Sequence, residues 1–256
     1  MSIGTDPGTA RAAPVPGARR LPAAKATMAL LAIGALLGLL SACSARLDGK
    51  LDAAGRAEFS VKVSMPGGLA SKLRAMAGMP AALPLFDAAA AKKALEERAG
   101  VAAVEASCPD PDSLELSITV GDLAAALSSP DIEGLVERGA ADGTQSLRIL
   151  LSREHGKALL ALVPGLDPAL VEALSPPALG DNDSSKQDYR EALASIIGTK
   201  SLPALDAASV SMALKVPGRI ISSSGGRAEG STWTASIPLL DILVLESPIE
   251  LKLSWR

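Results

Sequence analysis

The sequence predicts an α+β domain: an antiparallel sheet built of hairpins, with helices packed on one face and a helical middle lobe. Three observations predict it. Runs near both ends of the chain alternate apolar and polar residues with a period of two, as strands with one buried face do. Several of these runs pair around turns rich in Pro, Gly and Asp, which makes neighbouring strands antiparallel. Blocks with apolar residues three and four apart separate the pairs, placing helices over one side of the sheet and leaving the other wet.

A leader precedes these elements. Met28 to Leu40 is an uninterrupted apolar run of 13 residues, preceded by Arg19, Arg20 and Lys25 and closed by Ser41 and Ala42. A spanning helix needs about 17 to 25 such residues, whereas a cleaved export signal carries about 7 to 15. The small residues end at a cysteine, and Leu40-Ser41-Ala42-Cys43 resembles the lipobox of bacterial lipoproteins. That resemblance implies that Cys43 is the lipidated first residue of the mature chain and that residues 1–42 are a signal peptide that is removed. Two acyl chains hold a protein stably on a membrane where one holds it only marginally. The alternative, an uncleaved anchor with an accidental cysteine, conflicts with the length of the run. A twin-arginine reading of Arg19-Arg20 fails because Pro22 and Ala23 stand where that signal has apolar and basic residues.

Composition bounds what the body does. Removing residues 1–42 takes four basic residues (Arg11, Arg19, Arg20, Lys25) from 25 and one acidic residue (Asp6) from 28. That leaves 21 basic against 27 acidic, a charge of −6 on 214 residues. Such a body does not attract nucleic acid or anionic headgroups over long range, so the anchor and not charge does the tethering. A chain of this length buries a substantial core as one exported domain, residues 43–256. Aromatic residues in it are few (Phe59, Phe86, Tyr189, Trp233 and Trp255), which argues against stacking platforms for single-stranded nucleic acid or polysaccharide. With Cys43 acylated, Cys108 has no disulfide partner.

Taken in order, Leu47, Gly49 and Leu51 alternate with charged residues. Asp52 to Gly55 turns the chain, and Phe59, Val61, Val63 and Met65 alternate back to Pro66. Leu69, Leu73 and Met76 have helical spacing, stopped at Gly78 and Pro80. Asp87 to Ala99 is a second helix, capped by Asp87, with Gly100 as its C-terminal glycine. Val101 to Val120 is another hairpin, turned at Pro109 to Asp112, and a short helix follows from Asp122 to Leu127. Residues 131–145 favour neither state, and Leu147, Ile149 and Leu151 make a strand.

The middle, about 154–198, is expected as a helical insertion. It comprises Gly156 to Val163, then a helix with Asp167 as N-cap and Pro168 at its first position, and then the helix around Tyr189. In the last, Tyr189, Ala192, Leu193, Ile196 and Ile197 form one stripe, Ser185 with Asp188 makes a capping box, and Gly198 closes it. Strands return at Val210 to Val216, Trp233 to Ile237 and Ile249 to Trp255, with a glycine turn at Gly225-Gly226.

The order of these features, from lipobox through early hairpin ending at Pro66-Gly67 and helical middle to VPGRIISSSGGRAEGSTW, resembles LppM-like bacterial lipoproteins. The tail carries it through Pro217-Gly218, Gly225-Gly226, Gly230 and Trp233. The helix around Tyr189 and the segment Ile237 to Pro248 also look like uncharacterised spirochaetal lipoproteins. The resemblance implies a membrane-tethered α+β domain without catalysis, with lipid or glycolipid as a ligand class.

The residues offer little chemistry. His155 is the only histidine and sits in a polar strand-to-helix turn, where a surface position is expected, so a multi-histidine zinc site is excluded. There is no G-x-S-x-G, P-loop or G-x-G-x-x-G pattern, and Gly225-Gly226 reads as a hairpin turn. Asp181 to Ser185 begins like a calcium loop, but Lys186 and Ala192 occupy its glycine and glutamate positions. Glu96-Glu97 and Asp110 with Asp112 are the carboxylate pairs that a hydrolase reading would use. One binding feature stands out: Ser209, Ser211, Thr232, Thr234 and Ser236 give the late strands a small, uncharged polar face that a curved sheet would turn into a groove.

The expectation is therefore an exported lipoprotein, lipid-anchored at Cys43 to an envelope membrane, with a non-catalytic binding or structural role. No cofactor or metal is expected, and the partners are the membrane and a lipid or envelope protein. The alternatives are a lipid or glycolipid carrier with an apolar groove and, less favoured, a carboxylate-based hydrolase.

Overall fold

The computed structural model describes Met1 and residues 44–156, 171–172, 174–180 and 183–256. Strands β1 (Ser44–Leu51) and β2 (Ala57–Ser64) form the first hairpin, paired from Ser44↔Ser64 to Leu51↔Ala57. Asp52 closes its turn by accepting the Arg56 backbone N–H at 2.9 Å and its Nε at 2.7 Å. Helices α1 (Gly67–Met76) and α2 (Ala88–Glu96) follow, the second capped by Asp87, which accepts the Ala90 N–H at 2.9 Å. The second hairpin is β3 (Val101–Ser107) with β4 (Ser113–Val120), and α3 (Leu123–Leu127) starts at its cap Asp122.

The ambiguous stretch 131–145 resolves into a 3₁₀ turn at Pro130–Ile132 and strand β5 (Val136–Ala141), which pairs with β6 (Thr144–Leu151). The helices expected at 156–163 and 167–174 fall largely outside the described residues. Beyond them come α4 (Lys186–Ile197), α5 (Leu202–Asp206), β7 (Ser209–Lys215), β8 (Ile220–Ser224), β9 (Arg227–Glu229), β10 (Thr232–Pro238), α6 (Leu239–Val244) and β11 (Ile249–Trp255). The expected capping box of α4 is present, Ser185 Oγ accepting from the Asp188 N–H while Asp188 reaches back to Ser185 N.

The class is α+β with mostly antiparallel pairing, but the single sheet divides in two. A seven-stranded sheet runs β3-β4-β2-β1-β7-β10-β9, and a four-stranded one runs β5-β6-β11-β8. Two features escape a period-two pattern. The β1–β7 pair is parallel, and alternation looks the same for either direction. The β8–β9 connection crosses from the small sheet to the large one, yet in sequence it reads as an ordinary glycine turn.

Opposed residues share a face, so the register places Leu47, Val61, Leu116 and Val104 with Leu214 and Trp233 on one side of the large sheet. Helices cover one part of that face. Leu69 and Leu73 of α1, Leu95 of α2, Tyr189, Leu193 and Ile197 of α4, and Leu240 and Val244 of α6 pack on Leu114, Leu116 and Val104. The small sheet covers the rest, with Leu151, Leu251, Leu253 and Trp255 against Leu51, Val120, Leu214 and Trp233. The opposite face stays wet and carries exposed pairs such as Lys62–Glu115 at 2.9 Å.

In α4 the buried stripe is narrower than expected. Tyr189, Leu193 and Ile197 are inside, while Ala192 and Ile196 are exposed, Ile196 by 42%. Arg74 of α1 is buried and makes three hydrogen bonds. Its Nε donates to the Leu83 carbonyl and one Nη to the Pro111 carbonyl, both at 2.7 Å, and it pairs with Asp112, tying the helix to the β3–β4 turn.

Tyr189, the one tyrosine of the chain, donates its hydroxyl to the Leu174 carbonyl at 3.0 Å. Burial pushes its phenol pKa well above the ordinary 10, because the phenolate would lose its water. A folded pKa above the unfolded one gives stability that is complete below about pH 10 and is lost as pH rises through the folded value. Absorbance at 295 nm therefore reads this residue alone. We expect no phenolate at pH 10 in the folded chain and its appearance only together with loss of circular dichroism. A phenolate signal near pH 10 with the fold intact would contradict the burial.

Candidate functional site

Cys43 lies outside the described residues. Its neighbour does not: Ser44 opens β1, which lies inside the large sheet between β2 and β7.

The wet face of the same sheet holds a groove of about 520 Å³. Register builds it. Arg46 stands beside Ser211, which stands beside Ser236; two residues along, Asp48 stands beside Ala213, Thr234 and Arg227. Ser211, Ala213, Thr234 and Ser236 make a low floor because none projects far from the strand. One wall is Arg46 held by Asp48 in a two-point bond, Nε–Oδ2 2.7 Å and Nη2–Oδ1 3.0 Å. The hydrogen bond from Arg46 lowers the Asp48 carboxyl pKa despite its partial desolvation. The other wall is Gly225, Gly226 and the exposed Arg227, whose carbonyl accepts the Thr234 hydroxyl at 3.4 Å. Arg46 is already neutralised by Asp48, so the hydroxyls over the floor and the Arg227 guanidinium at the far wall are what suit a hydroxyl-rich or phosphate-bearing headgroup.

Of the five small polar residues singled out in the sequence, three line this groove: Ser211, Thr234 and Ser236. Ser209 and Thr232 sit at opposite ends of β7 and β10 and do not. Arg46, Asp48 and Arg227 escaped sequence reasoning. The i, i+2 spacing puts Arg46 and Asp48 on one face, but only the long-range β1–β7 pairing brings them to the serines.

A second hollow of about 500 Å³ surrounds the start of α4, and its charges neutralise one another. Lys186 Nζ meets Asp241 at 2.8 Å, Arg190 makes two 2.7 Å bonds to Asp206, and the Lys186 backbone N–H meets Glu246 at 3.3 Å. Between the two sheets the void lined by Leu147, Leu214, Trp233 and Leu251 is only about 10 Å³, far too small for an acyl chain.

The remaining candidates are tied into local structure. His155 is half-buried rather than at the surface, its Nδ1 2.9 Å from Ser152 Oγ within a 3₁₀ turn and its Nε2 against Gly134. Ser152 thus occupies the nitrogen that an orienting carboxylate takes in a hydrolytic triad. Burial raises the Cys108 thiol pKa, and its Sγ lies 3.4 Å from the Phe86 carbonyl. Asp110 accepts the Ser113 hydroxyl and the Asp112 N–H, which hold its carboxyl below the usual range. Asp52, Asp206 and Glu250 are likewise lowered, chiefly by hydrogen bonds from Arg56, Arg190 and Lys252. A general acid at neutral pH needs the opposite shift. In the calcium-like loop, Asp183 pairs with Arg153 at 2.7 Å, and Asp181 and Asn182 lie outside the described residues. Among the described residues no three metal-ligating side chains cluster, and no helix is long and apolar enough to cross a membrane.

No family model and no curated protein matches the sequence. A solved structure that does match is the NMR structure of the folded domain of Mycobacterium tuberculosis LppM. The TM-score is 0.41 and the identity 9%, over 84% of this chain and 90% of that one. Likeness at that level carries no argument about role, which rests on this chain's own residues.

Proposed function

We propose that the chain is an exported lipoprotein, held on an envelope membrane by acyl chains at Cys43, whose folded body binds rather than catalyses. One observation carries the reading. The run of 13 apolar residues ends in Leu-Ser-Ala-Cys, and β1 begins at Ser44, so cutting before Cys43 removes nothing from the described sheets. The experiment is mass spectrometry of the N-terminal peptide from native host membranes. A peptide starting at Cys43 with a diacylglycerol thioether supports the reading, and an intact leader or an unacylated Cys43 overturns it.

The groove favours a second reading, a lipid or glycolipid carrier that holds the polar end of its ligand. Support comes from the hydroxyl floor and the Arg227 wall; the void between the sheets offers no room for the acyl end. Ser236 is exposed on a strand, so Ser236→Tyr fills the groove at little cost in stability. Native lipid extraction from the full chain is expected to recover a bound lipid, most of which Ser236→Tyr removes. Recovery of no lipid from the parent, or of equal lipid from the variant, counts against the carrier.

A further inference from the structure

We propose that the end of the large sheet where β1 begins rests directly on the bilayer, so that the domain stands on its strand ends. The inference rests on acylation of Cys43 and goes beyond it, because an anchor alone says nothing of orientation. What sets the orientation is the missing spacer. Consecutive Cα atoms are 3.8 Å apart, and Ser44, the residue after Cys43, already belongs to an internal strand. A flexible spacer of twelve residues would let the body drift about 19 Å. Here there is none, so the headgroup layer that holds the thioether also meets whatever flanks Ser44.

The register identifies those flanks. Ser64 and Ser209 stand on either side of Ser44, with the exposed Pro238 beyond Ser209, whereas Ser113 beyond Ser64 is buried and takes no part. Four strand ends at about 4.8 Å spacing form a rim roughly 14 Å wide. No residue in that row is charged, so bringing it to the interface desolvates no ion. The nearby carboxylates are occupied: Asp110 by Ser113, Asp112 by Arg74 and Asp206 by Arg190. The orientation also sets the height of the groove. Arg46, Ser211 and Ser236 stand two residues above the rim and Asp48, Thr234 and Arg227 four, about 7 to 13 Å at the usual strand rise, so the groove opens sideways at headgroup level.

The test uses the acylated full chain in vesicles of phosphatidylethanolamine and phosphatidylglycerol that contain a headgroup-nitroxide lipid. Cys108→Ser leaves no free thiol, and a fluorophore is placed by Ser64→Cys at the rim or by Ala54→Cys in the turn at the far end of β1. Quenching is expected to be several-fold stronger at position 64 than at 54, and the contrast should vanish when twelve Gly/Ser residues are inserted between Cys43 and Ser44. Equal quenching at the two positions in the parent chain, with protein floating on the vesicles, overturns the orientation and leaves the anchor standing. Protein that does not float overturns the anchor itself.

Discussion

Replacing Cys43 by alanine is expected to abolish incorporation of labelled palmitate and to leave residues 1–42 uncut. The cysteine is both the acceptor of the lipid and the residue before which the leader is severed in the lipobox that Leu40 to Cys43 resembles. The energetic consequence is large. Each buried methylene contributes about 0.8 kcal/mol, one acyl chain gives a partition constant of about 10⁴ M⁻¹, and a second multiplies it. A chain beginning at Ser44 has neither lipid nor leader, and its net negative charge gives no compensating attraction to anionic headgroups. We expect the parent in the membrane fraction and the shortened chain almost wholly in the soluble one. Palmitate incorporation that survives Cys43→Ala would remove the basis for the anchor.

The second large effect is structural and lies at the crossing between the sheets. Gly225 has φ +72°, and a Cβ there would lie 2.5 Å from Leu251 Cδ2 and 2.7 Å from the Glu250 carbonyl of β11. Gly226 lies against the other sheet, where a Cβ would meet the Thr234 carbonyl at 2.5 Å and the Trp233 indole at 2.6 Å. Among the described residues the buried Trp233 Nε1–H has no hydrogen-bond partner, so packing holds its ring. For Gly225→Ala, left-handed backbone costs about 1 kcal/mol and overpacking a further 1 to 3. For Gly226→Ala only the overpacking applies, but it falls on backbone and a buried ring. Gly230, in the next turn, has φ +61° with nothing within 4 Å of its would-be Cβ. Gly230→Ala should therefore cost only the backbone strain, about 1 kcal/mol. For a body of this size about 3 kcal/mol lowers Tm by roughly 10 °C. Thermal unfolding followed by Trp fluorescence should show that drop for Gly225→Ala and about a third of it for Gly230→Ala; equal shifts would mean that the sheets do not meet tightly at this crossing.

Legibility in the sequence followed the range of the interactions. Asp87 and Ser185 were readable as caps because an N-cap bonds a backbone N–H two or three residues away, whereas Asp122, read as the first residue of its helix, proved to be its cap. The hairpins β1–β2 and β3–β4 were readable because short polar turns leave adjacent strands little choice but to pair. Ile196 was misread as buried because spacing marks a stripe without saying how much of it another element covers. Of the groove, the serines and the threonine were visible as a polar face, while the arginines came from elsewhere in the chain.

By itself the sequence determined the class of fold, the first two hairpins with their neighbouring helices, and the case for Cys43, all of which depend on run length, alternation and neighbours a few residues apart. Only the tertiary structure decided that β1 lies beside β7 in parallel, that the strands divide into two sheets, and that Arg46, Asp48 and Arg227 meet Ser211, Thr234 and Ser236. The physical reason is that alternation records which side of a strand is buried and not which strand lies next to it. That choice is made by the long-range pairing that lets helices and a second sheet cover one apolar face together.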